Sequence, residues 1–236
     1  MTKRFVVIGG DAAGMSAASL AKRRQPDLDI EVYDMGDYTS YGACGMPYYV
    51  SGEVPELDDL VVVTPREFEE KRKIKVFMQH RAEKLHPDQK VIEVKDLTGG
   101  RTKEVPYDEL LIATGAEPIL PPTVDLDIPG VFVLRTLNDA GGLREYIREH
   151  SPRQGLIIGT GYIGMEMAEA LTLAGIKVTV LGRRPQVLPI FEEEISGTVA
   201  EDLARREVQV VFRAEADKVE QTPENRLKVT LSNGDI

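Results

Sequence analysis

The sequence predicts an α/β protein built on two parallel sheets, and an internal repeat is the main observation behind this prediction. Residues 4–34 and residues 155–182 each read as a short apolar strand, a glycine turn, a helix rich in small residues and a second β-branched strand. A strand–helix–strand unit of this kind forms a parallel pair within one sheet. Prolines crowd residues 118–129, which is typical of a linker. We therefore expect two domains, residues 1–117 and 118–236, each of them incomplete.

The composition excludes several classes of protein. The 236 residues are 42% hydrophobic, as expected for a globular chain, and the net charge of −10 lacks the basic footprint of a nucleic-acid binder. A single cysteine, Cys44, excludes an intrachain disulfide and a multi-cysteine metal site, and the three histidines lack metal-ligand spacing. No apolar run is long enough to cross a membrane, and Asp11 interrupts the stretch that resembles a signal peptide. We expect a cytoplasmic protein without a metal site.

The elements between the two repeats follow from local signals. Thr64 to Glu67 reads as a capping box with Pro65 at the first helical position, so a short charged helix should run to about Lys73. A turn is expected at Gly99-Gly100. Alternation and apolar runs predict four strands, of which the last should be buried: Ile74–Phe77, Ala82–Leu85, Val91–Val94 and Leu110–Ala113.

The remaining elements frame the second repeat. Two helices are expected, at Asn138–His150 and at about Glu192–Arg206. Three strands should follow the second helix, at Val208–Phe212, Lys218–Glu220 and Leu227–Leu231. A turn signal at 232–234 precedes the end of the chain, where a hairpin partner should begin, so we expect the chain alone to be structurally incomplete, with open sheet edges.

The second glycine turn carries a complete dinucleotide-binding pattern. Gly159, Gly161 and Gly164 follow a strand and open a helix, with Tyr162 and Ile163 between the last two glycines. Glycines permit a tight turn and a close approach of the backbone to pyrophosphate, whose charge the helix N-terminus favours. The alternative is a strand–helix turn that merely requires glycine.

The end of the next strand indicates which nucleotide binds. A carboxylate at this position would bind the ribose 2′-hydroxyl of NAD, but Gly182 stands there, followed by Arg183 and Arg184. A missing acid and two arginines favour the 2′-phosphate of NADPH, with NADH still possible. The alternative is that both arginines belong to a solvated loop.

The first glycine turn departs from the pattern at one place. Gly9 and Gly14 occupy the first and third glycine positions, Asp11 occupies the middle one, and Ala13 lies inside the turn. Asp34 ends the following strand, where its carboxylate could bind a ribose hydroxyl. The alternative for Asp34 is an ordinary polar strand end.

Cys44 lies on a glycine-rich segment just past the first repeat. Pro47 indicates that a helix begins near the cysteine, and a helix N-terminus favours the thiolate form. A buried structural cysteine is the alternative. We favour a redox role because the cysteine accompanies two nucleotide-binding motifs.

Four segments together resemble one enzyme family. They are the two glycine turns, SYGACGMPYYVSG at Ser40–Gly52 and LLIATGAEP at Leu110–Pro118. The chain resembles the pyridine nucleotide-disulfide oxidoreductases, and within them the single-cysteine branch of coenzyme A disulfide reductases, coenzyme A persulfide reductases, NADH oxidases and NADH peroxidases. The places of a Cys-x4-Cys partner hold Thr39 and Tyr49, so no internal dithiol exists.

The resemblance implies cofactors and roles for particular residues. It implies two Rossmann-like domains, the first binding FAD and the second NAD(P)H, without the family's C-terminal dimerisation domain; the complete protein would be a homodimer. Thr114 and Gly115 would lie near the flavin, Cys44 against its isoalloxazine ring, and Glu166 near the contact between flavin and nicotinamide. Three residues match positions that contact coenzyme A in the disulfide reductases: Ser16, Arg23 and Ser40.

Three functions are therefore in competition. The first is an FAD-dependent, NADPH-using reductase of a low-molecular-weight disulfide or persulfide that acts through Cys44, with coenzyme A as a candidate thiol. The second is an NADH oxidase or peroxidase in which Cys44 cycles between thiolate and sulfenic acid. The third is a nucleotide-binding module or fragment without turnover.

Overall fold

A computed structural model describes residues 2–224 and 226–234. The chain forms two compact units. The first contains the chain up to Gly42 together with Asp58–Glu117, and the second contains Ala43–Leu57 together with the chain from Pro118 onward. The division differs from the expected domain ranges because residues 43–57 group with the second unit. Positions 235 and 236 of the expected second domain lie outside the described residues.

Both units alternate strands and helices. The strands are β1 (Arg4–Ile8), β2 (Asp29–Tyr33), β3 (Ile74–Phe77), β4 (His80–His86), β5 (Val91–Asp96), β6 (Thr102–Pro106), β7 (Glu109–Ile112), β8 (Gln154–Ile158), β9 (Lys177–Gly182), β10 (Gln209–Phe212), β11 (Ala216–Gln221) and β12 (Leu227–Leu231). The helices are α1 (Ala12–Arg24), α2 (Met46–Ser51), α3 (Pro65–Arg72), α4 (Leu137–His150), α5 (Tyr162–Leu173) and α6 (Glu193–Arg205). The expected elements are present, most of them with ends within two residues of the expected ones.

The first unit is built on a four-stranded parallel sheet in the order β3-β2-β1-β7. Successive side chains of a strand point to opposite faces, so Val7 and Val6 enter different cores. Val7 joins a cluster with Met15 of α1 and Phe68 of α3. Val6 joins a second cluster with residues of the antiparallel sheet β4-β5-β6. The sheet is therefore covered on both faces.

Local signals account for the ends of two helices. At α3 the capping box is complete, because Thr64 accepts a hydrogen bond from the backbone of Glu67 and the Glu67 carboxylate accepts one from the backbone of Thr64. The Glu67 carboxylate also accepts a hydrogen bond from Lys71, and these contacts lower its pKa to about 2. An equivalent box between Thr136 and Asp139 begins α4. Both boxes satisfy backbone donors that the first helical turn leaves unpaired.

The second unit has a three-stranded parallel sheet in the order β10-β9-β8 and an antiparallel pair β11-β12. Leu181 of β9 packs with Ala214 and Ala216, at the start of the antiparallel pair. The turn expected after β12 is formed, with Gly234 at a φ of +83° and its N–H donating to Leu231.

The strand at Leu110–Ala113 differs from its expected burial. The observed strand, β7, forms an edge of its sheet and is only partly covered, with Ile112 57% exposed. The expectation of a buried strand was wrong because a short apolar run cannot distinguish a central strand from an edge strand. No helix among the described residues is long and apolar enough to cross a membrane.

Candidate functional site

The first glycine turn connects β1 to α1 and needs glycine at two positions. Gly9 has a φ of +109°, and a Cβ there would overlap the carbonyl of Ala113. A Cβ at Gly14 would overlap the carbonyl oxygen of Gly9 and lie 3.0 Å from a methyl carbon of Val7. The N-terminus of α1 therefore lies directly against the end of β1. Ala13, in the first turn of the helix, is exposed.

Asp34 follows β2 and faces this turn. One carboxylate oxygen accepts a hydrogen bond from the Gly10 N–H at 2.6 Å, and the other accepts one from the Gly36 N–H at 2.7 Å. An ionised carboxylate has about four acceptor positions, so two remain for a ligand. Asp34 thus orders the turn and keeps acceptor capacity beside it.

The segment after β7 lies at the same end of the parallel sheet. The N–H of Ala113 donates to the carbonyl of Ile8 at 2.7 Å, which places Thr114 and Gly115 next to the first glycine turn. Both residues are exposed, and Gly115 has a φ of +75°. Ligands of open α/β sheets bind beyond the carboxyl ends of the strands, where these residues lie.

The second glycine turn repeats this geometry between β8 and α5. Gly159 has a φ of +123°, and a Cβ at Gly164 would overlap the Gly159 carbonyl oxygen. Gly161 precedes α5, and apart from its two neighbours in the chain no described residue has an atom within 4 Å of the Cβ position it lacks, so the space above it is open to a ligand. Tyr162 and Ile163 are 54% and 57% exposed at the start of the helix.

Two further predicted groups lie in the second unit. Glu166 is exposed on α5, where it lines a small depression with residues of α2. Arg183 and Arg184 follow β9 and are both exposed. Arg183 forms an ion pair with Glu215, with 3.8 Å between Nε and the nearer carboxylate oxygen.

Cys44 is exposed, which contradicts the alternative of a buried structural cysteine. It lies in a short 3-10 turn, Ala43–Gly45, that leads into α2, and Pro47 occupies the first turn of that helix as expected. The helix begins at Met46, close to the expected position. A thiol in this place is accessible to small molecules.

An arginine of α4 holds the segment that carries Cys44. One guanidinium nitrogen of Arg144 donates to the carbonyls of Val54 and Pro55, each at 2.9 Å. The guanidinium carbon also lies 4.3 Å from the centre of the Tyr49 ring. These contacts hold α2 and the loop after it against α4.

A cavity of about 230 Å³ brings together the three residues matched to coenzyme A contacts. Ser16 and Arg23 lie one above the other on α1, and Ser40 closes one side. Ser40 has a φ of +49°, and its backbone is fixed by hydrogen bonds to the carbonyl of Gly10 and from the N–H of Val62. A polar residue held in this rarely populated conformation is common at functional sites.

The cavity also contains residues that sequence reasoning missed. Arg72 donates a hydrogen bond to Ser19 at 3.0 Å, and its guanidinium carbon lies 4.9 Å from the centre of the Phe68 ring. Met15 and Phe68, both nearly fully buried, form the apolar floor. The only sequence signal for Arg72 was its position at the end of a charged helix. Its approach to α1 depends on the packing of α3, which spacing along the chain does not reveal.

The fold and the two glycine turns define a dinucleotide-binding α/β protein with two nucleotide units. Residues 3–236 match the model of the family described as pyridine nucleotide-disulphide oxidoreductase, and the chain belongs to this family. The prediction of FAD together with NAD(P)H is confirmed at the level of the family.

Known proteins resemble the chain over nearly its whole length. The NAD(P)H sulfur oxidoreductase (CoA-dependent) of Pyrococcus furiosus is 39% identical over 85% of this chain and 45% of its own length. The structure of a NAD-dependent persulfide reductase from A. fulgidus is 33% identical, with a TM-score of 0.92 over 98% of this chain and 43% of its own. The chain spans about half the length of the curated relatives it matches.

A third similar protein is an engineered water-forming NADPH oxidase bound to NADPH, derived from the Lactobacillus brevis NADH oxidase. It is 27% identical, with a TM-score of 0.91 over 98% of this chain and 51% of its own. Its name records an aspartate replaced by alanine and the next residue, an alanine, replaced by arginine.

Proposed function

We propose that this chain is the nucleotide-binding part of an FAD-dependent NAD(P)H oxidoreductase that reduces a disulfide or persulfide of coenzyme A through Cys44. The observation that carries the proposal is the cavity in which Ser16, Arg23 and Ser40 meet Arg72 above an apolar floor. The names of relatives that act on coenzyme A or on persulfides support the same substrate class. The homodimer stays a prediction.

The first unit has the features that FAD requires. Gly14 has no Cβ to overlap the Gly9 carbonyl oxygen, so the start of α1 lies directly against the end of β1, where the helix N-terminus favours the charge of a pyrophosphate. We assign the adenosine ribose to Asp34, which retains acceptor capacity, and the flavin end to Thr114 and Gly115. When bound, the flavin and the nicotinamide nucleotide supply the two electrons that disulfide reduction consumes.

The second unit has the features of a nicotinamide nucleotide site. We assign the pyrophosphate to the turn at Gly159, Gly161 and Gly164, with Tyr162 and Ile163 beside it, and Glu166 to the nicotinamide end. The open space above Gly161 supports this assignment.

Arg183 and Arg184 favour the 2′-phosphate of NADPH. No acid is present at Gly182, and a guanidinium follows it. The engineered oxidase supports this interpretation: its five substitutions include an aspartate replaced by alanine and the next residue replaced by arginine, and it is an NADPH oxidase whereas its parent is an NADH oxidase. Guanidinium groups bind phosphate by charge-assisted hydrogen bonds.

The cavity on α1 suits a phosphorylated thiol. Arg23 and Arg72 supply two guanidinium groups for phosphate oxygens, while Ser16 and Ser40 supply hydroxyls. Met15 and Phe68 offer apolar contact to the remainder of such a ligand. Ser40 precedes Cys44 by four residues, so the covalent chain keeps their Cα atoms within about 14 Å whatever the arrangement of the units.

Cys44 supplies the attacking sulfur. Its thiolate attacks one sulfur of the substrate disulfide: the bond between the two substrate sulfurs breaks, a bond forms between Cys44 and the attacked sulfur, and the other sulfur leaves as a thiolate. The two electrons that bound NAD(P)H and flavin would supply then break the bond between Cys44 and the substrate sulfur, which releases the second thiol and restores the Cys44 thiolate. Because the substrate supplies the partner sulfur, one protein cysteine suffices. The exposure of Cys44 supports this role.

The test is Cys44→Ser in the complete protein. NADPH should still bleach the yellow flavin of this variant, while release of coenzyme A from its disulfide should be abolished. Reduction of coenzyme A disulfide at a rate near that of the wild type would show that Cys44 is not the attacking thiol and would overturn the proposal. Binding of coenzyme A to Arg23→Ala tests the role of the cavity. Arg24→Ala, at the end of the same helix, is the matched control.

An NADH oxidase or peroxidase is the second candidate, supported by the similarity to the Lactobacillus brevis NADH oxidase from which the engineered oxidase derives. In this reaction Cys44 would cycle through a sulfenic acid. Consumption of oxygen or peroxide without release of thiol would favour it over disulfide reduction.

A further inference from the structure

We assign the ribose that carries the 2′-phosphate to the carboxyl end of β9. An acidic residue of a neighbouring segment lies at this end of the strand. The N–H of Ala214 donates to the carbonyl of Gly182 at 3.3 Å, which brings the chain after β10 alongside the end of β9. Position 182 itself has no room for a side chain, because a Cβ there would lie 2.5 Å from the methyl carbon of buried Thr160. Any carboxylate near the ribose must therefore come from another residue.

Glu215 has a carboxylate close to Arg183, just after β9. Its N–H donates to the Ser232 hydroxyl at 3.0 Å, and its carbonyl accepts from the Ser232 N–H at 2.9 Å. This pair of hydrogen bonds fixes the backbone of Glu215 beside β12. The carboxylate then lies 3.8 Å from Nε of Arg183.

The ion pair between Arg183 and Glu215 is open to a ligand. The two side chains are 79% and 58% exposed, so the pair contributes little to folding stability and can rearrange when an anion arrives. A 2′-phosphate has a charge close to −2 near neutral pH, whereas the 2′-hydroxyl of NADH is neutral and can donate a hydrogen bond to a carboxylate. The same carboxylate therefore weakens the binding of NADPH and can strengthen the binding of NADH.

We propose that Glu215 is a specificity-determining residue that limits the preference for NADPH by competing with the 2′-phosphate for Arg183. The inference rests on the proposed binding of NAD(P)H to the second unit. It adds the residue that sets the ratio of the affinities for NADPH and NADH. Arg183 favours the phosphate, Glu215 opposes it, and the site accepts both nucleotides.

The experiment measures binding of NADP⁺ and NAD⁺ to the complete protein by calorimetry at one fixed salt concentration. Glu215→Gln should tighten NADP⁺ binding about fivefold to tenfold, the size expected when one exposed like charge and one competing ion pair are removed. NAD⁺ binding should stay equal or weaken by about twofold, as for loss of one exposed hydrogen bond. Glu201→Gln on α6 removes the same charge from an exposed position and should change neither nucleotide.

The double variant separates this inference from the function on which it rests. In a protein that already has Arg183→Ala, Glu215→Gln should tighten NADP⁺ binding by less than half as much as in the wild type. The reason is that no Arg183 guanidinium remains to be released from the ion pair. An unchanged ratio of NADP⁺ to NAD⁺ affinity in Glu215→Gln, or weaker NADP⁺ binding, overturns the inference and leaves the proposed function standing. Equal loss of both nucleotides in Arg183→Ala alone instead overturns the 2′-phosphate assignment.

Discussion

Replacing Arg144 by alanine should release the segment that carries Cys44 from α4. The change removes two charge-assisted hydrogen bonds of 2.9 Å, to the carbonyls of Val54 and Pro55, and the stacking on Tyr49 at 4.3 Å. Such hydrogen bonds contribute about 1.5–3 kcal/mol each when buried, and the cation–π contact about 0.5–1 kcal/mol. These values sum to at least about 3.5 kcal/mol. Because Arg144 is only half-buried and one of its nitrogens makes both hydrogen bonds, we expect a smaller loss of about 2–3 kcal/mol from the local opening free energy.

Limited proteolysis measures this opening. Chymotrypsin cleaves after tyrosine, and Tyr48 and Tyr49 both lie within α2. A loss of about 2 kcal/mol raises the open population by roughly 30-fold, so cleavage of Arg144→Ala at these tyrosines should accelerate by at least about tenfold. Mass spectrometry of the fragments identifies the cleaved bonds.

Two matched variants keep this prediction specific. Arg148→Ala changes a 73% exposed arginine of the same helix and should alter cleavage by less than about twofold. Arg144→Lys should lie between wild type and alanine, because an ammonium group can donate to a carbonyl but lacks the planar fork. The reasoning would be refuted if chymotrypsin cleaved Arg144→Ala at the wild-type rate, or if Arg148→Ala accelerated cleavage to the same extent.

Three other outcomes are expected. Gly14→Val should push α1 away from β1, destabilise the protein by about 1–3 kcal/mol or more, and yield colourless complete protein; a full flavin spectrum in this variant would contradict the FAD assignment. Alanine at both Arg183 and Arg184 should weaken NADPH binding by on the order of 1.5–3 kcal/mol and NADH binding far less, as measured by titration, whereas equal losses would indicate a solvated face. The pKa of Glu67 is lower in the folded protein, so its stabilisation is present above about pH 4.5 and lost as the pH falls toward about 2. Glu67→Gln should therefore flatten the decline in urea-unfolding stability over this range, and an unchanged slope would contradict the stabilisation of the ionised Glu67 carboxylate by Lys71 and Thr64.

The elements that the sequence predicts well are those whose cause is local. The two glycine turns were identified because a positive φ at Gly9 and Gly159 and a close helix–strand approach at Gly14 and Gly164 each demand glycine. The capping box at Thr64 predicted the start of α3 for the same reason, since its hydrogen bonds join residues three positions apart.

Features that depend on which elements become neighbours were not predictable. The burial of β7 was misjudged because its apolar residues do not encode an edge position. Residues 43–57 group with the second unit through contacts between distant parts of the chain, such as the hydrogen bond from Arg144 to the carbonyl of Val54, 90 positions away. Arg72 and Glu215 joined the candidate sites only through the packing of separate elements.

This contrast explains why the cofactor class was easier to read from the sequence than the substrate or the nucleotide preference. Pyrophosphate is bound by backbone at a strand–helix turn, so its requirements appear as glycines within one short segment. A 2′-phosphate or a phosphorylated thiol is bound by long side chains from several elements, and their net effect depends on what else lies within reach. Arg183 alone predicts a preference for NADPH, but Arg183 with Glu215 at 3.8 Å predicts a weaker one. The difference is a nonlocal contact, so measuring the ratio of NADP⁺ to NAD⁺ affinity in Glu215→Gln tests the structure at a point where the sequence pattern alone predicts a stronger preference for NADPH.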